Sequence, residues 1–375
     1  MWTLLLGFDA FDPTVFERLS EKGKLPHLTR YVEIGGYARL AVANPPQTEV
    51  SWTSIATGSN PGGHGIFDFV HRDPATYTPY LSLLPTKTSP FGTRFVPPYK
   101  ARTIFEETTR QGFPATVLWW PATFPARPEL PVRALPGLGT PDVKGRWGVG
   151  TLFASDAGPD RLRNVAVVAL ARRGTDRYAG SLAGPSRKSR GSTNQSALDV
   201  QIDLIDDGSA HVAMGDQTVE LIKGRWSPVL VMRFKVGRLV RIHALARLIL
   251  THTRPHVRLY VSPLQIVPMR SPWRYATPRA FVKQVWSSHG PFLTLGWPQD
   301  TTALEEGCIA DSQFLDLCES VFTIRERILL SQLEQFNEGI LASIFDSLDR
   351  VQHMFRRSRP GIVDDWYVRL DGLVG

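Results

Sequence analysis

A chain of 375 residues with 42% apolar and 21% charged residues holds enough Leu, Val, Ile and Phe for a core, which excludes a disordered protein and suits two domains or one large one. No uncharged apolar run approaches the roughly 18–20 residues of a membrane span, and Met1–Phe8 lacks a basic leader and is too short for a secretory signal. The net charge of +8 is concentrated in residues 151–300, with 21 Lys/Arg against 10 Asp/Glu, which fits either a patch that attracts polyanions or a solvated basic surface.

No basic helix, zinc finger or RNA-binding signature accompanies that charge, so specific nucleic-acid recognition is not expected. Two cysteines, Cys308 and Cys318, are too few for a disulfide framework and are expected on one helix. Both features predict a reducing, cytoplasmic setting.

In chain order, residues 3–8 (TLLLGF) read as a short apolar strand of the kind buried in a parallel sheet. Val15, Leu19 and Leu25 follow with helical spacing. Residues 37–43 look strand-like. Residues 51–57 open a helix that Gly58 and the Pro61–Gly63 run terminate. Residues 103–111 read as helix and 115–120 (ATVLWW) as a buried strand, an alternation that indicates an α/β layer architecture.

From about residue 125 the texture changes. Alternation at 199–205 and 217–222 predicts β hairpins, SRKSRGSTNQS (186–196) reads as a mobile loop, and 228–235 and 257–266 are strand candidates. Residues 126–300 therefore read as an inserted, basic, β-rich cap, between core segments 1–125 and 301–375. An apolar stripe from Phe314 to Phe336 predicts a long helix over 311–337. Residues 340–345 read as another short apolar strand, followed by DSLDRVQHMF.

Three candidates lie where α/β proteins place their sites, just past the carboxyl ends of strands or near helix starts. Asp9 follows the opening strand, Thr48 sits in PPQTEVSWTSIATG, and Asp349 and His353 follow the strand at 340–345. A helix puts Asp349 and His353 on one face, where carboxylate and imidazole can chelate one metal ion. Each also has a plainer reading. Asp9 and Thr48 suit helix caps or turns, the Asp/His pair suits a solvated helix face, and His64 suits a turn in NPGGHG. Trp119, Trp120 and Trp147 suit core packing as well as stacking on a base or sugar.

The order of LLLGFD (4–9), PPQTEVSWTSIATGSNPGGHGIFDF (45–69) and LASIFDSLDRVQHMF (341–355) resembles the alkaline phosphatase superfamily, in its type I phosphodiesterase/nucleotide pyrophosphatase branch. The stretches 136–147 and 257–266 also resemble bacterial members. The resemblance implies an alkaline-phosphatase-like α/β/α sandwich core with two divalent metal ions, usually Zn²⁺. Carried over, Asp9 ligates one ion, and Thr48 is the nucleophile bridging to that ion. Asp349 and His353 ligate the other. Ser51 stands where many members contact a phosphate oxygen with Asn. Sulfatases of this fold need a C/S-x-P-x-R setting, whereas this chain has TEVSW, which favours phosphorus over sulfur.

The implied activity is hydrolysis of a phosphodiester or pyrophosphate in a phosphate-ester small molecule, through a phosphothreonine. The family's later Asp-His-Gly ligands do not occur among these residues. The expectation is therefore a core incomplete at the C-terminus, a truncated chain, and weak or partial metal binding. Two alternatives stay open: a non-catalytic phosphate- or polyanion-binding remnant, and a phosphotransferase or phosphomutase using the same nucleophile.

Overall fold

A computed structural model describes residues 2–89, 92–127, 131–156, 162–189, 192–236, 240–271 and 273–375. The chain forms two compact units, Met1–Leu138 with Cys318–Gly375, and Gly139–Leu317.

The first unit is built on a parallel four-stranded sheet. In spatial order its strands are Trp2–Phe8, Gly339–Phe345, Ala115–Trp120 and Arg133–Pro136. Every residue of Ala115–Trp120 is buried, as expected of a strand covered on both faces. Alternate side chains of Gly339–Phe345 divide between the two faces. Ala342 and Ile344 join Ala56 of helix Thr48–Thr57 and Phe105 of helix Ile104–Arg110 in one core cluster. Phe345 instead meets Phe322 of helix Asp311–Leu333 at 4.9 Å, and Phe322 meets Trp366 of helix Pro360–Val374. Helices thus cover both faces, and the expected α/β architecture with a parallel central sheet is present.

Two side-chain devices fix the site-bearing ends of this sheet. A thirteenth-residue proline starts helix Pro13–Glu21, with the Asp12 carboxylate accepting from Thr14 N–H. The Tyr367 hydroxyl receives the Asp12 N–H at 2.7 Å, and Arg356 pairs with the Asp12 carboxylate at 2.6 Å. The second device is buried. Arg325 donates to Asp346 at 2.5 Å and lies over the Trp119 ring. Asp346 directly follows Gly339–Phe345, so this pair ties the strand end to the long helix.

The second unit is β-rich. Its sheets include an antiparallel run of Ala171–Arg172, Arg177–Ser189, Ser192–Leu204, Ser209–Met214 and Gln217–Ile222. A three-stranded sheet holds Leu230–Val236, Val240–Ala246 and Gln265–Ile266. Inward residues such as Val200, Val212, Met232 and Phe234 form one buried cluster.

Four sequence expectations change. Residues 37–43 are irregular, not a strand. Tyr37 and Arg39 are instead drawn to Glu17 on the neighbouring helix, leaving Leu40 and Val42 exposed. The 186–196 segment, read as a loop, continues a hairpin in which Ser186 faces Gln195 and Lys188 faces Thr193. Its Arg190 and Gly191 lie outside the described residues. The long helix ends at Leu333, short of 337, and Phe336 packs instead against Trp2. Cys308 precedes that helix rather than sharing it with Cys318, and both thiols are free and buried. Among the described residues no helix is long and apolar enough to cross a membrane.

Removing one member of a buried ion pair leaves the other charge in a poor solvent. Arg325→Met is therefore expected to destabilise the first unit by about 3 kcal/mol, read as a lower urea midpoint. An unchanged midpoint would show that the pair does not anchor the strand end.

Candidate active site

Phe8 and Phe345 are register partners in neighbouring parallel strands, and the Asp9 N–H continues their ladder onto the Phe345 carbonyl at 2.9 Å. The two strands therefore deliver Asp9 and the Ser347–Phe355 helix to the same sheet end. Ala10 turns the chain away with a φ of 57°, unusual for a residue with a Cβ. Gln352 holds that turn by donating to the Ala10 carbonyl at 2.6 Å.

Thr48 is the first residue of helix Thr48–Thr57, after Gln47, whose side chain makes no cap. The helix ends at Gly58 in the left-handed conformation. Its first turn therefore presents backbone N–H groups that the Gln47 side chain does not cap, the arrangement that favours an anion. The Thr48 hydroxyl donates to Asp9, at 3.1 Å from Oδ2 and 3.3 Å from Oδ1. One turn on, the Trp52 indole donates to Asp9 Oδ1 at 2.8 Å. Trp52 stands edge-on to Trp120, whose own indole donates to the Trp52 carbonyl. Gly7 makes room for this. A Cβ there would lie 2.6 Å from the Trp52 ring and 2.3 Å from Ile344 Cδ1.

Asp349 and His353 lie on one face of the Ser347–Phe355 helix, with His353 Nε2 3.5 Å from Asp349 Oδ1. The other oxygen of Asp349 receives the buried Arg350 guanidinium. Asp9, Thr48, Ser51 and Asp349 line one hollow of about 360 Å³, together with Arg39, Leu40 and Val42 of the 37–43 segment. Ser51 sits on the Thr48 helix, its N–H bound to the Gln47 carbonyl. His64 is fully buried and accepts from Ile66 N–H while meeting Ser54 at 3.0 Å, so it serves the turn. Trp119 and Trp120 are buried in the core.

Crowding of carboxylates governs the electrostatics. Burial, reinforced by the charge of Asp349, pushes Asp9 up to about 6 against the opposing pull of Arg350 and Trp52. Burial also acts to raise Asp349, but Arg350 and His353 outweigh it and hold that carboxyl below its ordinary value. Its hydrogen bond to Asp349 raises His353. Burial similarly drives Glu49, next to Thr48, up to about 7, opposed by its own backbone N–H and aided by Asp68 and Asp9.

These donors match a divalent cation in kind: carboxylate oxygen, hydroxyl oxygen and imidazole nitrogen. In number they fall short. Among the described residues no group of three or more His, Cys, Asp or Glu is placed to hold one ion. The sequence pattern overlooked Trp52, Arg350 and Glu49. Their only signals were position: Trp52 four residues after Thr48, Arg350 inside the Asp-x-x-x-His spacing, and Glu49 beside Thr48.

Residues 3–189 match the family model described as type I phosphodiesterase / nucleotide pyrophosphatase. The chain belongs to this family. Its class of reaction is phosphodiester hydrolysis. No curated protein and no solved structure matches the chain. The matched span contains Asp9 and Thr48, whereas Asp349 and His353 lie outside it.

Because Asp9 is raised, its proton is held more tightly in the folded than in the unfolded chain. Stability is highest below the unfolded value of 3.8 and is lost as pH rises towards about 6. Asn cannot ionise. The stability of Asp9→Asn relative to the parent chain should therefore grow between pH 4 and 6.5, by up to about 3 kcal/mol, and then level off. Parallel urea-unfolding curves across this range would refute the raised carboxyl.

Proposed function

We propose that the chain cleaves a phosphodiester or pyrophosphate bond in a small phosphate ester, with Thr48 as nucleophile. The observation that carries this reading is the Thr48 hydroxyl resting on the buried Asp9 carboxylate at an uncapped helix N-terminus, inside the segment that matches the family model.

In this reading the transferring phosphoryl group settles against the first turn of the Thr48 helix. There the N–H after Thr48 and the helix dipole hold a non-bridging oxygen. Asp9 orients the hydroxyl and faces its proton, while Trp52 fixes the carboxylate. Ser51 is the candidate contact for a second phosphate oxygen. Asp9 with Thr48 would hold one divalent ion and Asp349 with His353 the other. When bound, such ions lower the hydroxyl's pKa and neutralise charge on the phosphoryl group. Arg350 keeps Asp349 ionised for that role. The Thr48 oxygen then displaces the leaving oxygen in line, and water hydrolyses the resulting phosphothreonine.

Zinc sites typically use three or four protein ligands. With two donors for each ion, this chain is expected to bind metal weakly and turn over slowly. The same shortage favours a second reading, phosphate binding without turnover.

The test is hydrolysis of bis(p-nitrophenyl) phosphate across a Zn²⁺ titration. Turnover should rise without saturating at low ion concentration, and Thr48→Ala should lower it about 10³-fold. Phosphothreonine should be recoverable on the Thr48 peptide after acid quenching. Undiminished turnover by Thr48→Ala would end the nucleophile assignment. Phosphate binding with no turnover at any ion concentration would select the second reading.

A further inference from the structure

The hairpin Leu230–Val236/Val240–Ala246 contributes Arg233, Lys235 and Arg241 to the basic excess of the middle of the chain. Met232, Phe234 and Val236 point into the core of the β-rich unit, so Arg233 and Lys235 point outward. The register sets Lys235 directly opposite Arg241 and Arg233 opposite His243. Like charges in direct cross-strand opposition destabilise a hairpin. Two other exposed arginines of this unit are paired, Arg254 with Asp176 and Arg177 with Asp203. Lys235 and Arg241 make no ion pair among the described residues.

Two hollows flank the Asp216–Arg233 ion pair and share both residues. One, of about 480 Å³, holds Lys235 and Arg241 together with Asp199. The other, of about 430 Å³, holds His243 and Arg270, whose side chains meet at 3.1 Å. Burial, then Arg270 and Arg233, push His243 below its ordinary value against the opposing charge of Asp216.

We propose that the outer face of this hairpin binds a ligand with clustered phosphoryl groups, one group beside Lys235 and Arg241 and another beside Arg270. The ligand supplies the negative charge that the cross-strand pair lacks. This site is independent of Thr48 and of the reaction proposed for it.

The experiment is calorimetric titration of the full chain, with EDTA present, using inorganic tripolyphosphate. Parallel vesicle sedimentation compares phosphatidylcholine with and without a phosphatidylinositol bisphosphate. Binding should weaken with salt, persist in Thr48→Ala, and fall about tenfold or more in Lys235→Glu/Arg241→Glu. It should be unchanged in Lys283→Glu, an exposed charge reversal elsewhere in the unit. The neutral pair Lys235→Gln/Arg241→Gln repeats the test with less perturbation. Lys235→Glu alone should raise the ligand-free Tm, because it turns the repulsive pair into an attractive one. Tripolyphosphate binding assigns a soluble ligand, and binding to the phosphoinositide vesicles alone assigns a lipid headgroup. Absence of both, or binding that survives in both double variants, overturns the proposal.

Discussion

Three aspartates, Asp9, Asp346 and Asp349, are buried at the ends of two adjacent parallel strands, and the first unit is organised around accommodating them. Buried carboxylates persist only when charge or hydrogen bonds compensate them. Arg325 compensates Asp346 from the long helix, and Arg350 compensates Asp349 from the next position. Among the described residues Asp9 receives neutral donors, the Thr48 hydroxyl and the Trp52 indole. Burial, with the charge of Asp349, leaves Asp9 raised, and it is the one on which the threonine rests. The unequal distribution of arginines distinguishes the three.

That imbalance links fold to chemistry. An uncapped helix start beside an under-compensated carboxylate places partial positive and full negative charge within one hollow. Such a site has uses for both an anion and a cation. A phosphate ester is the anion proposed for the first, and the family to which the chain belongs acts on phosphodiesters. In the proposed reading the donor count limits the second, because among the described residues Asp9 with Thr48 and Asp349 with His353 would each offer an ion only two donors.

Much of this was legible in the sequence, for physical reasons. TLLLGF and ATVLWW are uninterrupted apolar runs that only a doubly covered strand absorbs, and residues directly past such strands are well-placed site candidates. Asp349 and His353 share a helix face by spacing alone. What could not be read were contacts between distant segments. Tyr37 and Arg39 alternate as a strand would, but the Glu17 carboxylate captures both. SRKSRGSTNQS is polar enough for a loop, yet its backbone pairs as a hairpin whatever its side chains. Trp52 reaches Asp9 only because Gly7 lacks a side chain, a three-way dependence that no local pattern encodes.

The sheet order carries a consequence for how the molecule is made. Trp2–Phe8 is translated more than 300 residues before Gly339–Phe345, its described sheet neighbour. That neighbour also separates it from Ala115–Trp120. The opening strand therefore cannot take up its pairing with Gly339–Phe345 until the β-rich unit between them has been translated. The time to make the intervening residues is thus a lower bound on how soon this edge of the sheet can form.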